Sequence, residues 1–341
     1  MRVAVVGAGI IGVTSAVAVK DAFPRFEVHV YANEFSPDTT GDGSAGLLLP
    51  YLLGETPVDK VLKWTGITRR WFDDFWRSGQ APEVGIALLP AYRVTSDPRG
   101  YPDSSWTRLV YGADKLPSTE LERLNEQHGT SYKHGWSFLT YIGEPTRLLP
   151  WLMKKFAKAG GVFRKRKVEK LHELIDDNGY DVVINCSGLG ARHLAADNTV
   201  TPIRGQVARA TASGTLHMFL VDDDDSYYII PNYEVMVLGG THQEGDYDCT
   251  PRQEDAQRIY KWCKRALPAF EGIELQKEWV GLRPGRPSVR LESEVLVSPR
   301  GKKYEVIHNY GHGGSGVTIS WGCAMEVVEI LRGSLGLNSR L

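Results

Sequence analysis

RVAVVGAGIIG, residues 2–12, decides the fold. Arg2–Val6 is a short apolar run, as in a strand buried inside a parallel sheet. It passes directly into Gly7-Ala8-Gly9-Ile10-Ile11-Gly12. An alanine-rich apolar stretch over residues 13–23 reads as a helix, and FEVHVYA, residues 26–32, as a second strand. Strand, glycine turn, helix and strand in that order are the setting a dinucleotide-binding turn requires. Gly7 permits the tight turn, Gly9 lets backbone approach a pyrophosphate, and Gly12 lets the helix pack on the sheet. The helix N-terminus then offers free N–H groups and partial positive charge to phosphates. Asn33 ends the second strand and Glu34 follows it; either can meet a ribose hydroxyl, and the sequence leaves the two open.

The next segment, FSPDTTGDGSAG (residues 35–46), is polar and glycine-rich. An NAD domain normally continues with a further strand–helix–strand unit. A loop of small residues suits a flavin better, because its ring system must lie against backbone.

A length of 341 residues suggests about two domains. The formal net charge of -1 gives no basic field for nucleic acid or an anionic membrane. The chain has no run of about 18 apolar residues to span a bilayer and no signal-peptide core before its first strand. Cys186, Cys249, Cys263 and Cys323 are scattered with no C-x-x-C pair, which argues against zinc or a redox dithiol. They read as reduced, mostly buried thiols of an intracellular protein. The last three residues, Ser339-Arg340-Leu341, are a conservative variant of the Ser-Lys-Leu peroxisomal address.

Val58–Arg77 reads as a helix with Trp64, Trp71, Phe72 and Trp76 on its buried side. Thr119 to Glu122 fits a capping box that starts another. Residues 146–159 read as a helix ended by Gly160-Gly161, and residues 162–171 as a strand with a solvated basic face. DVVINCSG, residues 181–188, returns to the sheet begun at residue 2, so the cofactor domain is discontinuous. Strands over residues 206–211, Tyr227–Pro231 and residues 235–242 belong to a second, antiparallel domain.

Two C-terminal segments are the most specific: VGLRPGRPSVRLE, residues 280–292, and VIHNYGHGGSGVTISWGCA, residues 306–324. VVGAGIIG, FSPDTTGDGSAG, INCSGLG (184–190), IRGQV (203–207) and VLGGTHQEGD (237–246) accompany them in order. Together they resemble, over nearly the whole chain, the D-amino-acid oxidase and D-aspartate oxidase family of FAD enzymes. The resemblance implies an α/β fold: a Rossmann-like FAD-binding domain with a mostly parallel sheet, and a substrate domain with a large antiparallel sheet. We expect residues 1–50, 141–204 and 281–341 in the first, and 51–140 and 205–280 in the second. It implies hydride transfer from the substrate α-carbon to flavin N5, then hydrolysis to a 2-oxo acid and ammonia, with dioxygen reduced to hydrogen peroxide. Peroxide production makes a peroxisomal matrix location, through an import receptor reading Ser339-Arg340-Leu341, a coherent expectation; otherwise the location is cytoplasmic. A homo-oligomer is compatible with the family.

By the same resemblance, Arg283 binds the substrate α-carboxylate, a task for a planar, permanently charged fork. Tyr228 shares that carboxylate, and Gly314 and Ser315 lie near it. Arg286 and Arg290 steady the loop. Gly7, Ala8, Gly9, Ile10, Ile11 and Gly12 match the pyrophosphate turn. Glu34, Phe35, Thr39 and Thr40 match the adenosine side, and Ala45, Gly46 and Leu47 the loop against the flavin. Val168 and Ser187 match further contacts, while Gly313, Gly314, Ser315, Val317 and Thr318 open the last helix. No side chain is needed as a base, so His308 and His312 read as structural, and no metal is implied.

Several stretches lean towards D-aspartate oxidases, yet both expected side-chain cations are altered. His242 stands after Gly-Gly-Thr, and Val221 stands seven residues before Tyr228. The run Asp222 to Asp225 reads as an exposed loop near the entrance that repels anions. Oxidation of acidic D-amino acids (D-Asp, D-Glu) is the favoured reading, with His242 as a second substrate contact. The alternatives are an oxidase of neutral or mixed D-amino acids, a flavin-binding protein without oxidase activity, and an NAD-dependent dehydrogenase.

Overall fold

A computed structural model describes residues 1–211, 214, 216–223, 226–266 and 275–337. Asp224, Asp225 and the C-terminal Ser339-Arg340-Leu341 therefore lie outside the described residues.

Arg2–Val6 is the centre of a six-stranded sheet. The order is Arg290–Val297, Lys303–Tyr310, Val182–Asn185, Arg2–Val6, Glu27–Ala32, Val162–Lys165. All pairings are parallel except that of Arg290–Val297 with Lys303–Tyr310. Its unbroken apolar run follows from burial on both faces. Val3 and Val5 point into a core shared with the helices Ile10–Ala22, Val58–Arg77 and Gly316–Ser334. Ala4 and Val6 point into a second core under Leu171, Leu174 and Tyr180. Gly322 lets two of the helices touch: a Cβ there overlaps the Trp64 backbone, and its N–H donates to Thr68 Oγ1 (3.1 Å).

A nine-stranded sheet forms the other layer. Its order is Gln243–Glu244, Thr201–Thr211, Val235–Gly239, Tyr227–Pro231, Met218–Val221, Ile86–Thr95, His134–Gly143, Tyr111–Lys115, with Leu275–Gly285 paired along Thr201–Thr211. Its pairings are antiparallel except Ile86–Thr95 with Met218–Val221. Side chains alternate between faces. Val94, Phe219, Val221, Ile229 and Leu238 pack under the helices Ser118–His128 and Gln253–Ala266. Ala91, Val207, Leu220, Tyr228 and Ile230 face the other way, towards the first sheet's loops.

Four local expectations are corrected. Trp76 is 49% exposed rather than buried. It lies twelve residues from Trp64, roughly 120° around a helix that turns about 100° per residue. The helix after residue 117 starts at Ser118 with Pro117 at the cap position, so Thr119 and Glu122 form no capping box. The strand expected over residues 162–171 stops at Lys165, and a short helix begins at Leu171. The strand expected to reach residue 242 ends at Gly239, where two glycines lie against the Tyr228 ring.

Candidate active site

One cavity of about 800 Å³ lies between the two sheets. That is large for a small-molecule site, which spans about 300–1,000 Å³. The carboxyl ends of Arg2–Val6 and Val182–Asn185, the loop at residues 43–47, the start of the last helix and the inner face of the nine-stranded sheet all open onto it.

The glycine turn forms one end. Gly7 has φ +111°, and a Cβ there overlaps the carbonyl of Cys186. Gly12 does not line the cavity; a Cβ on it overlaps the Gly7 carbonyl, so it seats the helix. Gly9 is the open position, with no heavy atom within 4 Å of where its Cβ would be. It caps Ile10–Ala22 without any side-chain hydrogen bond to the first turn. A bare helix N-terminus with unobstructed backbone suits a pyrophosphate.

The polar loop is rigid for a chemical reason. Asp42, 3% exposed, accepts from Ser36 Oγ (2.6 Å), Thr39 N–H (3.0 Å) and Thr39 Oγ1 (2.6 Å). Its own carbonyl accepts from Arg209 Nη2 (2.6 Å). This presents Gly43, Ala45, Gly46 and Leu47 to the cavity as a wall of small residues and backbone. Beside that wall, Gly316–Ser334 begins with no side-chain cap. Ser315 spends its hydroxyl elsewhere: Oγ accepts from Tyr51 N–H (2.7 Å) and donates to Tyr51 O (2.8 Å).

Of the residues the sequence pointed to, Gly7, Ala8, Gly9, Ile10, Ile11, Glu34, Thr39, Thr40, Ala45, Gly46, Leu47, Val168, Ser187, Tyr228, Arg283, Gly313, Gly314 and Val317 line this cavity. Asn33 lines it beside Glu34. Phe35 does not; its ring packs edge-on against Phe163 (centroids 5.6 Å apart). Thr318 is also absent from the lining, and its Oγ1 is shared between Leu47 O (2.9 Å) and Leu49 O (3.1 Å), steadying the small-residue wall. His242 is not in the lining either. The strand ends at Gly239, three residues before His242. His242→Arg is accordingly expected to change the D-Asp to D-Ala ratio of kcat/KM less than about twofold; a clear gain for D-Asp would bring residue 242 back to the substrate.

Arg283 is an open cation on the cavity wall. Nη1 donates to Thr241 O (2.9 Å), and its charge lies 5.9 Å from the Tyr51 ring centre. Among the described residues no carboxylate pairs with it. Arg286 pairs with Asp197 (2.9 Å), and Arg290 pairs with Glu292 (2.7 Å) and Glu294 (3.0 Å). Tyr228 hydrogen-bonds Arg283; burial raises its pKa while Arg283 opposes the rise. Tyr51, which sequence reasoning missed, is pushed up to about 12, mainly by burial. Both hydroxyls stay protonated at neutral pH and can donate to an anion.

Two glycines make room for this pair. A Cβ at Gly205 overlaps the Arg283 guanidinium, and one at Gly239 overlaps the Tyr228 ring. His312 lines the cavity, but burial pushes it down to about 3, and Nε2 donates to Asn309 Oδ1 (3.0 Å). His308 is fixed between Glu294 (3.0 Å) and Asn185 (3.2 Å). Among the described residues no group of three His, Cys, Asp or Glu side chains could hold a metal.

The buried histidines make stability pH-dependent. His312 is lowered to about 3 and His128 to about 4, both from 6.5. The unfolded chain therefore takes up these protons first as pH falls. Stability should fall below pH 6.5, each histidine contributing about 1.4 kcal/mol per pH unit until its folded pKa is reached. Denaturant midpoints at pH 7.5 and 5 test this; an unchanged or higher midpoint at pH 5 contradicts it.

The glycine turn and an arginine with no carboxylate partner among the described residues share one cavity, an arrangement suited to a dinucleotide cofactor beside an anionic substrate. The comparisons agree. A family model described as DAO, FAD dependent oxidoreductase, matches residues 2–330, and the chain belongs to that family. It is 35% identical to human D-aspartate oxidase over 330 residues, covering 97% of this chain and 94% of that one. It is 36% identical to D-amino-acid oxidase of Rubrobacter xylanophilus over 338 residues, covering 98% and 97%. Glycine oxidase from Geobacillus kaustophilus superposes with a TM-score of 0.76 at 18% identity, covering 97% and 95%, which speaks to the fold alone. The cofactor is FAD, and the open Gly9 turn and small-residue wall fit it.

Proposed function

We propose that the chain oxidatively deaminates D-amino acids, acidic ones by preference, to 2-oxo acid, ammonia and hydrogen peroxide, consuming dioxygen and water. The observation that carries this is Arg283, without a carboxylate partner among the described residues, beside Tyr228 in the cavity that holds the glycine turn. Bound FAD supplies a two-electron acceptor. The protein's share is positioning. Arg283 and the Tyr228 hydroxyl hold the α-carboxylate, fixing the α-carbon. The Gly43–Leu47 wall and the last helix hold the ring system, and that helix's partial positive charge favours negative charge on it. Neutral, buried His312 is a poor base at pH 7, so no side chain is assigned to proton abstraction.

The acidic preference rests on similarity to D-aspartate oxidase. An oxidase of neutral D-amino acids remains the second reading, favoured by Leu220 on the cavity wall and by the absence of His242 from its lining. Our domain division places residues 1–50, 141–204 and 281–341 with FAD; the helix Val58–Arg77 packs on that side too. Ser339-Arg340-Leu341 is proposed as a peroxisomal import signal. The purified protein should be yellow with a flavin absorbance spectrum and should form peroxide from D-Asp but not L-Asp. Peroxide from L-Asp, or none from any D-amino acid, defeats the proposal.

A further inference from the structure

His242 and Val221 stand at the two positions where a second substrate cation is expected from the resemblance. Val221 borders the cavity, but its side chain packs into the core under the helices. Strand alternation instead turns a different row of side chains inward. Tyr228 pairs with Leu220, and Leu220 pairs with Arg93 on the next strand. Two strand spacings separate Tyr228 from Arg93, roughly 10 Å between backbones. Arg93 and Asp222 both line the cavity.

Arg93 is built into a fixed orientation. Its charge lies over two rings, Trp106 (4.8 Å) and Tyr101 (5.0 Å). Its Nε donates to Asp222 Oδ2. That bond uses one edge of the guanidinium, and among the described residues Nη1 and Nη2 have no hydrogen-bond partner. Asp222 is itself held by backbone: its N–H donates to Val94 O (3.0 Å), and its carbonyl accepts from Thr95 Oγ1 (3.0 Å). Asp223 accepts from Ser96 N–H (2.7 Å). The described half of the acidic run is therefore tied down, with one charge neutralised, and is not a free repulsive loop.

We propose that Arg93 reads the side-chain carboxylate of a dicarboxylic D-amino acid through its Nη groups, with Asp222 as the positioning residue that fixes its plane. This rests on the acidic reading given above. A substrate with its α-carboxylate on Arg283 and Tyr228 extends along the row past Leu220 to Arg93. Its distal carboxylate meets the open Nη edge, nearer the cation than to Asp222, so attraction exceeds repulsion. Aromatic stacking and the Nε bond have already ordered the guanidinium, so little side-chain entropy is lost on binding.

The test is the ratio of kcat/KM for D-Glu and D-Asp to that for D-Ala in wild type and variants. Arg93→Gln should lower the ratio at least tenfold. Asp222→Asn keeps an oxygen for Nε and removes the negative charge, so it should raise the ratio several-fold. Equal losses on all substrates, or no loss, in Arg93→Gln overturn the assignment. A wild type that prefers D-Ala to both acids instead overturns the acidic reading, and the ratio still judges Arg93. Should Arg93→Gln fail to fold, flavin absorbance titrations with succinate and butyrate decide. Succinate should bind wild type more tightly, and Asp222→Asn should widen the gap; equal affinities in wild type reject the role of Arg93.

Discussion

Replacing Arg283 by alanine should lower kcat/KM for every D-amino acid substrate by roughly 10²–10³-fold, the range expected when one partner of a buried hydrogen-bonded charge pair is removed. The protein should keep its FAD. Arg283 is the cavity arginine without a carboxylate partner among the described residues, while Arg286 and Arg290 are neutralised by Asp197, Glu292 and Glu294. Without it the substrate carboxylate meets only the hydroxyls of Tyr228 and Tyr51, neutral donors that cannot offset its desolvation. The glycine turn and the small-residue loop do not depend on residue 283, so the flavin absorbance should persist. Turnover close to wild type would remove Arg283 from substrate binding altogether.

Gly205→Ala should cost about 10²-fold in kcat/KM, the loss typical of displacing a positioning group by about 1 Å. Gly205 lies within the strand Thr201–Thr211, opposite Gly281, in ordinary extended backbone. Alanine is therefore tolerated by the main chain. The cost falls on Arg283, whose guanidinium occupies the space of the new methyl. A rise in KM with nearly unchanged thermal stability and flavin content is the expected pattern. Full activity in this variant would mean that the guanidinium can bind substrate from another position.

Much of this was readable in the chain. Val3–Val6 is apolar throughout because both of its faces are covered; Gly7 and Gly12 have steric reasons, and Gly9 leaves open backbone for a pyrophosphate. Tyr227–Pro231 and Val58–Arg77 were bounded by their own patterns. The side-chain subsite was not readable. Positions 221 and 242 were placed by counting along motifs, whereas strand alternation and the end of the strand at Gly239 decide which residues face inward. The sequence signal available for Arg93, which was not read, is a single arginine in the largely apolar strand IALLPAYRVT. It has meaning only once that strand is known to lie beside Met218–Val221. Trp76 shows the same limit: an aromatic count along a helix does not give its angle.

Peroxide formation from D-Asp, D-Glu, N-methyl-D-Asp, D-Ala and D-Met, with kcat and KM for each, tests the central claim most directly. The structure and its resemblances predict that D-Asp or D-Glu has the highest kcat/KM. D-Ala exceeding both acids, at saturation and in kcat/KM, would contradict it.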